Sequence, residues 1–270
     1  MKNFHTILLC LLTFLPLASW AQDDLSPVRD PQPTVRIAII IDDIGYSLIN
    51  GLRAARLPAN LTLAVLPHTP NGIALAKLGH QSGKEIMLHT PMANTRGLPL
   101  DKGALTDAMD QDTFLTTLRG NLASIPHISG VNNHMGSQLT QNPQAMHWLM
   151  TELKQQGLFF IDSRTSADSL ALATAIDSQL PSGERDVFLD HERNSEQIAR
   201  QFDYLIRLAK REGQALAIGH PYPETLELLE QRIPLLEDEN IKLVPASSLL
   251  ETYAPPQQLV QADSENMTSE

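Results

Sequence analysis

Short, continuously apolar runs recur along the sequence and alternate with segments of helical periodicity, and no other feature limits the possible folds as strongly. A strand that is apolar at every position is buried on both faces, as in parallel sheets covered by helices. The alternation therefore predicts an α/β fold, and seven or eight such units favour a closed barrel over an open sheet. The runs cover residues 35–41, 61–66, 85–88, 128–131, 158–161, 187–189, 215–218 and 241–244.

The segments between these runs carry signals that begin and end helices. Asn142 followed by Pro143 is typical of an N-cap with proline at the first helical position, and Gly157 ends that helix. Ser195 opens a second helix, which Gly213 closes. These signals place helices between the predicted strands, as a parallel sheet requires.

The N-terminal segment has the pattern of a secretory signal peptide. Lys2 precedes an apolar stretch over residues 7–20, and the small residues Ser19 and Ala21 end it, which predicts cleavage after Ala21. The stretch is short for a transmembrane helix, and a retained N-terminal anchor is the alternative. We therefore expect an exported, periplasmic protein without a membrane span after removal of residues 1–21.

The remaining chain divides into one domain and two polar flanks. Residues 22–34 are proline-rich and predict a flexible linker, and residues 255–270 predict a disordered tail. Residues 35–254 form a single domain of the size that α/β barrels commonly have. The net charge of −11 argues against nucleic acid as a partner.

Cysteine chemistry is excluded from the predicted mature protein. The sequence has one cysteine, Cys10, which lies inside the predicted signal peptide. The mature chain would therefore have neither disulfides nor a cysteine nucleophile. Any metal site must be built from histidine and carboxylate side chains.

Polar and ionisable side chains follow the apolar runs where the predicted strands end. The carboxyl ends of parallel barrel strands meet at one face, which carries the chemistry of such folds. A single residue of this kind is more often a turn or a helix cap, but together they indicate one site. The residues are Asp42, Asp43, His89, Asn132, Asn133, His134, Asp162, Arg164, Asp190, His191 and His220.

Histidine and carboxylate groups in this number suit a catalytic divalent metal, which takes about three protein ligands and keeps one position open. Asp42 and Asp43 are neighbours in the sequence, so their side chains are expected to point in different directions. One can then bind metal while the other stays free as a base. His220 comes from a different strand and can serve as the acid.

The order of these segments resembles the divergent polysaccharide deacetylase family, which is carbohydrate esterase-like, over residues 35–250. The resemblance implies a distorted (β/α) barrel of seven or eight units with a metal site. It is carried by Asp-Asp-x-Gly, Glu-Ile-Met-Leu-His-Thr-Pro-Met, Gly-Val-Asn-Asn-His-Met-Gly-Ser, Phe-Ile-Asp-Ser-Arg-Thr and Ile-Gly-His-Pro.

The resemblance also implies roles for individual residues. It makes Asp42 the catalytic base, Asp43 and His89 metal ligands, and His220 the acid. The family's usual second ligand histidine falls on Ala93, which cannot bind metal. We infer His134, from the next strand, as the replacement ligand. The implied cofactor is a divalent metal, with zinc favoured over other ions.

The implied activity is metal-dependent hydrolysis of a carbon–nitrogen bond other than a peptide bond. The favoured reaction is N-deacetylation of an amino-sugar polymer of the cell envelope, and a peptide or ester of the cell wall is another candidate substrate. Because Ala93 lacks a ligand atom, the alternative is a non-catalytic periplasmic protein of this fold that binds a glycan or a protein.

Five predicted residues and one loop have open interpretations. Asn132 and Asn133 bind substrate or stabilise a turn, and Asp190 orients His220 or the metal ligands or caps a helix. Asp162 and Arg164 form a pair that tunes the base or binds substrate, or an ion pair that braces the barrel. The long loop over residues 93–110 is a lid over the site or a surface insertion.

Overall fold

The computed structural model describes residues 34–58 and 60–250. The predicted signal peptide, the predicted tail and all but the last residue of the predicted linker lie outside the described residues. None of the helices in the described ranges is long and apolar enough to cross a bilayer.

The strands form one parallel sheet of nine strands. Its order is β6-β5-β4-β3-β2-β1-β8-β7, and β9 pairs with β1 beside that series. The strands are β1 (Val35–Ile44), β2 (Thr62–Val65), β3 (Glu85–Met92), β4 (Ile128–Met135), β5 (Phe159–Asp162), β6 (Ser182–Glu184), β7 (Val187–Phe188), β8 (Gln214–Gly219) and β9 (Ile241–Leu243).

Helices connect most successive strands, and two of them have the predicted caps. The helices are α1 (Leu48–Arg56), α2 (Gly72–Gln81), α3 (Gln111–Ser124), α4 (Pro143–Gln155), α5 (Ala171–Asp177), α6 (Ser195–Glu212) and α7 (Pro223–Arg232). The Asn142 side chain accepts hydrogen bonds from free N–H groups in the first turn of α4, and Gly213 ends α6 with φ +86°.

The predicted α/β fold with a distorted barrel is confirmed, although the barrel is not closed. In the described part of the chain, β6 and β7 are the two edges of the curled sheet, and no strand pairing joins them. The favoured closed barrel is therefore corrected to an open, curled sheet. β6 reads Ser-Gly-Glu and is therefore not one of the apolar runs.

The two faces of the sheet are distinguished by their packing. Ile37, Ile39 and Ile41 of β1 lie in the large core between the sheet and the helices. Ala38 and Ile40 lie in a smaller core inside the curl, whose buried members come from strands, a 3₁₀ helix and Val244 and not from the α-helices. Successive side chains of a strand point to opposite faces. The inward-facing positions of each strand therefore lead to one mouth at the carboxyl end.

Candidate metal centre

The predicted site residues mostly continue the inward-facing series of their strands. Asp42 follows Ala38 and Ile40, and His89 follows Met87, all at alternate positions. On β4, Asn132 and His134 share one face. His220, directly after β8, follows Leu216 and Ile218 at the same spacing. Their side chains meet inside the mouth of the curl because the strands are parallel.

Asp43 reaches the mouth by a different route. Its position should face the helices, but the register of β1 against β2 shifts between Ile41 and Ile44, and Asp43 has φ +56°. Such a backbone is costly for most residues other than glycine, and residues held in it often cluster at functional sites. The expected divergence of Asp42 and Asp43 is wrong: each has an oxygen within 3.6 Å of His89 Nε2.

Three potential ligand atoms form a small triangle. Asp43 Oδ1 lies 2.9 Å from His134 Nδ1 and 3.2 Å from His89 Nε2, and the two nitrogens are 3.2 Å apart. A tetrahedral ion with bonds of about 2.0–2.1 Å keeps its ligand atoms about 3.3 Å apart. Asp43 Oδ1 is buried, and neither imidazole meets it with hydrogen-bond geometry. The three residues therefore fit a divalent metal.

His89 is oriented by a buried chain of hydrogen bonds. Asn132 Nδ2 donates to Asp42 Oδ1 at 2.8 Å, so its Oδ1 faces His89 and accepts from Nδ1 at 2.7 Å. With the proton on Nδ1, the lone pair of Nε2 points at Asp43. Metal-binding histidines characteristically have such an acceptor behind them. Asn132 thus ties the predicted base to the predicted ligand.

His220 is held by Asp190 on the other side of β1. Asp190 Oδ1 lies 2.9 Å from His220 Nδ1, while Oδ2 accepts from the His220 backbone N–H and the Thr225 hydroxyl. His220 Nε2 lies 3.8 Å from Asp43 Oδ2. Asp190 therefore orients His220, which was one of its predicted roles.

The local environment sets the pKa values of the site. Burial raises the pKa of Asp42, and the neighbouring His89 and His220 only partly oppose that effect. Burial acts to raise the pKa of Asp43, but His134 and His89 lower it overall. Burial acts to lower the pKa of His220, but Asp190 and then Asp42 and Asp43 raise it to about 9.

Besides the exposed His191, three of the predicted residues lie away from this cluster. Asn133 is on the outward face of β4, where its Oδ1 accepts the Ser163 N–H and its Nδ2 donates to the Met135 carbonyl. Asp162 accepts the Arg164 N–H, and the Arg164 side chain pairs with Glu184, not with Asp162. These residues shape the turns after β4 and β5.

Asp101 has no signal in the sequence, and the role of Asn132 within the site was not predicted. Asn132 was noted at a strand end, but its pairing with His89 depends on which face of β4 points inward. Asp101, in the segment between β3 and α3, has Oδ2 3.2 Å from His134 Nε2. It lies in a loop without periodicity, so no sequence pattern marked it.

Comparison with known proteins settles the family. Residues 39–250 match the family described as divergent polysaccharide deacetylase. The chain belongs to that family. The match spans all the strands except the first residues of β1, and it includes every residue of the candidate metal centre.

Relatives of this chain resemble it in sequence, and solved structures resemble it in fold. YibQ of Escherichia coli, described as uncharacterized, is 37% identical over 87% of this chain and 75% of its own. The structure of an uncharacterized Agrobacterium tumefaciens protein has a TM-score of 0.77 at 26% identity, covering 82% and 91% of the two chains. The catalytic domain of a peptidoglycan N-acetylglucosamine deacetylase from Eubacterium rectale has a TM-score of 0.50 at 12% identity, covering 82% and 93%.

Proposed function

We propose that this protein is a zinc-dependent hydrolase that removes N-acetyl groups from an amino-sugar polymer of the cell envelope. The observation that carries the proposal is the Asp43, His89 and His134 triangle with Asp42 and His220 beside it. A metal-ligand set flanked by a candidate base and a candidate acid suits hydrolysis of an amide. Membership of the deacetylase family supports the choice of an acetamido group.

Asp43, His89 and His134 are the residues that would hold the ion. One carboxylate and two imidazoles match the ligands that catalytic zinc prefers, and they leave a coordination position open. When bound, the ion supplies polarisation of the acyl carbonyl and lowers the pKa of a water molecule. Ala93 therefore does not argue against a metal, because His134 offers the missing nitrogen from β4.

Asp42 is the proposed general base. It is buried, its Oδ1 accepts from Asn132, and its Oδ2 lies 3.6 Å from His89 Nε2. Burial raises its pKa, which makes it a stronger base than an exposed aspartate. In the proposed reaction it takes the proton of the attacking water.

His220 is the proposed general acid. Its Nδ1 contacts Asp190, so Nε2 is the atom that faces the site. Because Asp190 stabilises the charged form, with a pKa of about 9, the imidazole carries a proton at neutral pH. It can give the Nε2 proton to the leaving amine as the carbon–nitrogen bond breaks.

The proposed substrate lies outside the cytoplasm. The N-terminal residues have the pattern of a signal peptide, and a periplasmic enzyme of this family would meet the glycans of the envelope. The test is expression of the full chain, followed by fractionation and N-terminal sequencing. A periplasmic protein that begins at Gln22 supports export, and an uncleaved cytoplasmic one contradicts it.

Activity is tested with zinc-loaded protein on chitin oligomers, peptidoglycan and O-acetylated glycans, with acetate release and product mass as readouts. We expect release from N-acetylated substrates, and none from the matched Asp42→Asn protein with the same zinc content. Release only from O-acetylated glycans would move the proposal to an esterase. If no substrate is turned over but one glycan binds, the non-catalytic alternative is correct.

A further inference from the structure

The segment between β3 and α3 reaches the candidate metal centre through Asp101. One oxygen of its carboxylate, Oδ2, lies 3.2 Å from His134 Nε2. The other, Oδ1, accepts a hydrogen bond from the Tyr46 hydroxyl, which comes from the loop between β1 and α1. One carboxylate oxygen of Asp101 therefore contacts the candidate ligand His134, and the other contacts Tyr46 from a different loop.

The position of Asp101 bears on which nitrogen of His134 is free. His134 Nδ1 faces Asp43 and His89, so Nδ1 must carry the lone pair if the residue is to bind metal. A carboxylate oxygen 3.2 Å from Nε2 electrostatically favours the proton on that nitrogen. His89 has the mirror arrangement, with its proton on Nδ1 and its lone pair on Nε2. Each imidazole needs a partner behind it to present the correct nitrogen.

Asp101 is placed by a well-anchored piece of backbone. Leu105 is fully buried and makes two backbone hydrogen bonds of 2.9 Å with Pro91 and Ala93 at the end of β3. Gly103 has φ +85°, and its carbonyl accepts from Asn121 of α3 at 2.7 Å. A side chain at Gly103 would meet Asn121 Oδ1 at 2.2 Å. Asp101 therefore lies shortly before two residues, Gly103 and Leu105, whose backbone positions are fixed by these contacts.

We propose that Asp101 is a positioning residue that holds His134 in the tautomer that binds metal through Nδ1, with Tyr46 orienting Asp101. The inference rests on the proposed metal-dependent function and adds a ligand-orienting part to it. The segment over residues 93–110 is thereby a component of the metal centre. Partners of this kind typically change metal affinity or activity by about 10–100-fold when they are removed.

The experiment measures zinc affinity of the full chain by competition with a chromophoric chelator. Asp101→Ala should weaken zinc binding by about 10–100-fold. Asp101→Asn keeps an acceptor oxygen and should lose less, and Tyr46→Phe should lose less than Asp101→Ala. Asp107→Asn is the matched control, because Asp107 lies in the same segment and contacts Gln138. It should bind zinc like the parent protein.

Nitrogen-15 NMR of the zinc-loaded imidazoles supplies a readout that a merely structural role would not move. The parent should show His134 with a proton on Nε2, and Asp101→Ala should lose that single tautomer. Circular dichroism of each variant shows that it is folded, and Asp101→Asn serves if Asp101→Ala does not fold. Parent-like affinity and an unchanged tautomer in folded Asp101 variants would overturn the inference alone. A parent chain that binds no zinc overturns both this inference and the proposed function.

Discussion

His89 and His220 approach the Asp42–Asp43 pair from strands on opposite sides of β1, and different groups hold them in the same manner. In each ring Nδ1 is turned away from the pair and Nε2 towards it. Behind His89 the partner is the amide oxygen of Asn132 at 2.7 Å, and behind His220 it is the carboxylate of Asp190 at 2.9 Å.

The charge of the partner distinguishes the roles of the two histidines. A carboxylate stabilises the imidazolium form, and Asp190 raises the pKa of His220 against the effect of burial. An amide oxygen accepts the Nδ1 proton without adding charge, which suits a neutral ligand. The pKa of His89 is also raised against burial, but mainly by Asp42 and Asp43. A cation between those groups would compete with a proton for His89 Nε2.

The largest expected effect is loss of the metal when its two histidine ligands, His89 and His134, are removed. The double variant His89→Ala, His134→Ala removes both nitrogens of the ligand triangle, so zinc binding should be lost. Metal analysis by mass spectrometry after dialysis checks this, with stoichiometric zinc expected in the parent. The matched control is His80→Ala, His127→Ala, since that pair stacks at 4.0 Å outside the site. A folded His89, His134 variant that keeps its zinc would refute the ligand assignment.

Next in size is removal of the charge behind His220. Asp190→Asn keeps the shape of the side chain but no longer stabilises the imidazolium, so kcat should fall by about 10²–10⁴-fold. The pKa of His220 should drop from about 9, and the alkaline limb of the pH–rate profile should move to lower pH. Zinc content should not change, because Asp190 does not contact the ligand triangle.

Asp186→Asn is the control for that prediction. Asp186 accepts a backbone N–H from Leu216, so the same chemical change occurs near β8 without touching His220. Its pH profile should match that of the parent protein. An Asp190→Asn protein with parental activity and an unshifted alkaline limb would mean that His220 is not the acid.

The converse swap, Asn132→Asp, adds a charge where the partner is neutral. It replaces the donor to Asp42 with an oxygen about 2.8 Å from the Asp42 carboxylate, so the pKa of Asp42 should rise further. The rate at neutral pH should fall by about 10–100-fold, and the acid limb of the profile should move to higher pH. Asn142→Asp, at the surface cap of α4, is the matched control. If Asn132→Asp is parent-like, the neutrality of the amide has no role.

The same comparison shows what the sequence can and cannot predict. The ends of the apolar runs marked most of the side chains that the structure brings together, because buried parallel strands are apolar until they emerge at the mouth. Because both faces of such a strand are apolar, the sequence does not show which face points inward. Asn132 and Asn133 are equally placed at the end of a run that is apolar on both faces. Only the packing of Gly130 and Val131 shows which face of β4 points into the curl. It makes Asn132 a site residue and Asn133 a turn residue.

Two other features depend on the fold as a whole. The turn of Asp43 into the site needs a bulge and a positive φ, and Asp-Asp-Ile-Gly does not predict either. Asp101 enters through long-range anchoring of an irregular segment at Leu105 and Gly103. His134 was predicted as a ligand only because the resemblance left Ala93 without one, and the structure then placed it beside Asp43.

The smallest expected effect concerns Thr225, and it distinguishes a contribution to folding stability from a contribution to the orientation of His220. Thr225 is buried, and its hydroxyl donates to Asp190 Oδ2 at 2.7 Å. Thr225→Val should lower the free energy of unfolding by about 1–3 kcal/mol, since the carboxylate loses a buried donor. The rate should fall by less than in Asp190→Asn, because the His220 backbone N–H still holds the same oxygen.

Thr62→Val is the matched variant for that measurement. Thr62 is equally buried and donates to the Glu85 carboxylate at 2.9 Å, but it lies at the start of β2, away from the mouth. Urea denaturation should show a loss of stability in Thr62→Val at least as large as in Thr225→Val, because Thr62 also accepts the Ala246 N–H at 2.9 Å. Only Thr225→Val should lower kcat. Equal rates in the two proteins would mean that Asp190 needs no help from Thr225 to orient His220. The support for the acid would then come from the Asp190 charge and the backbone alone.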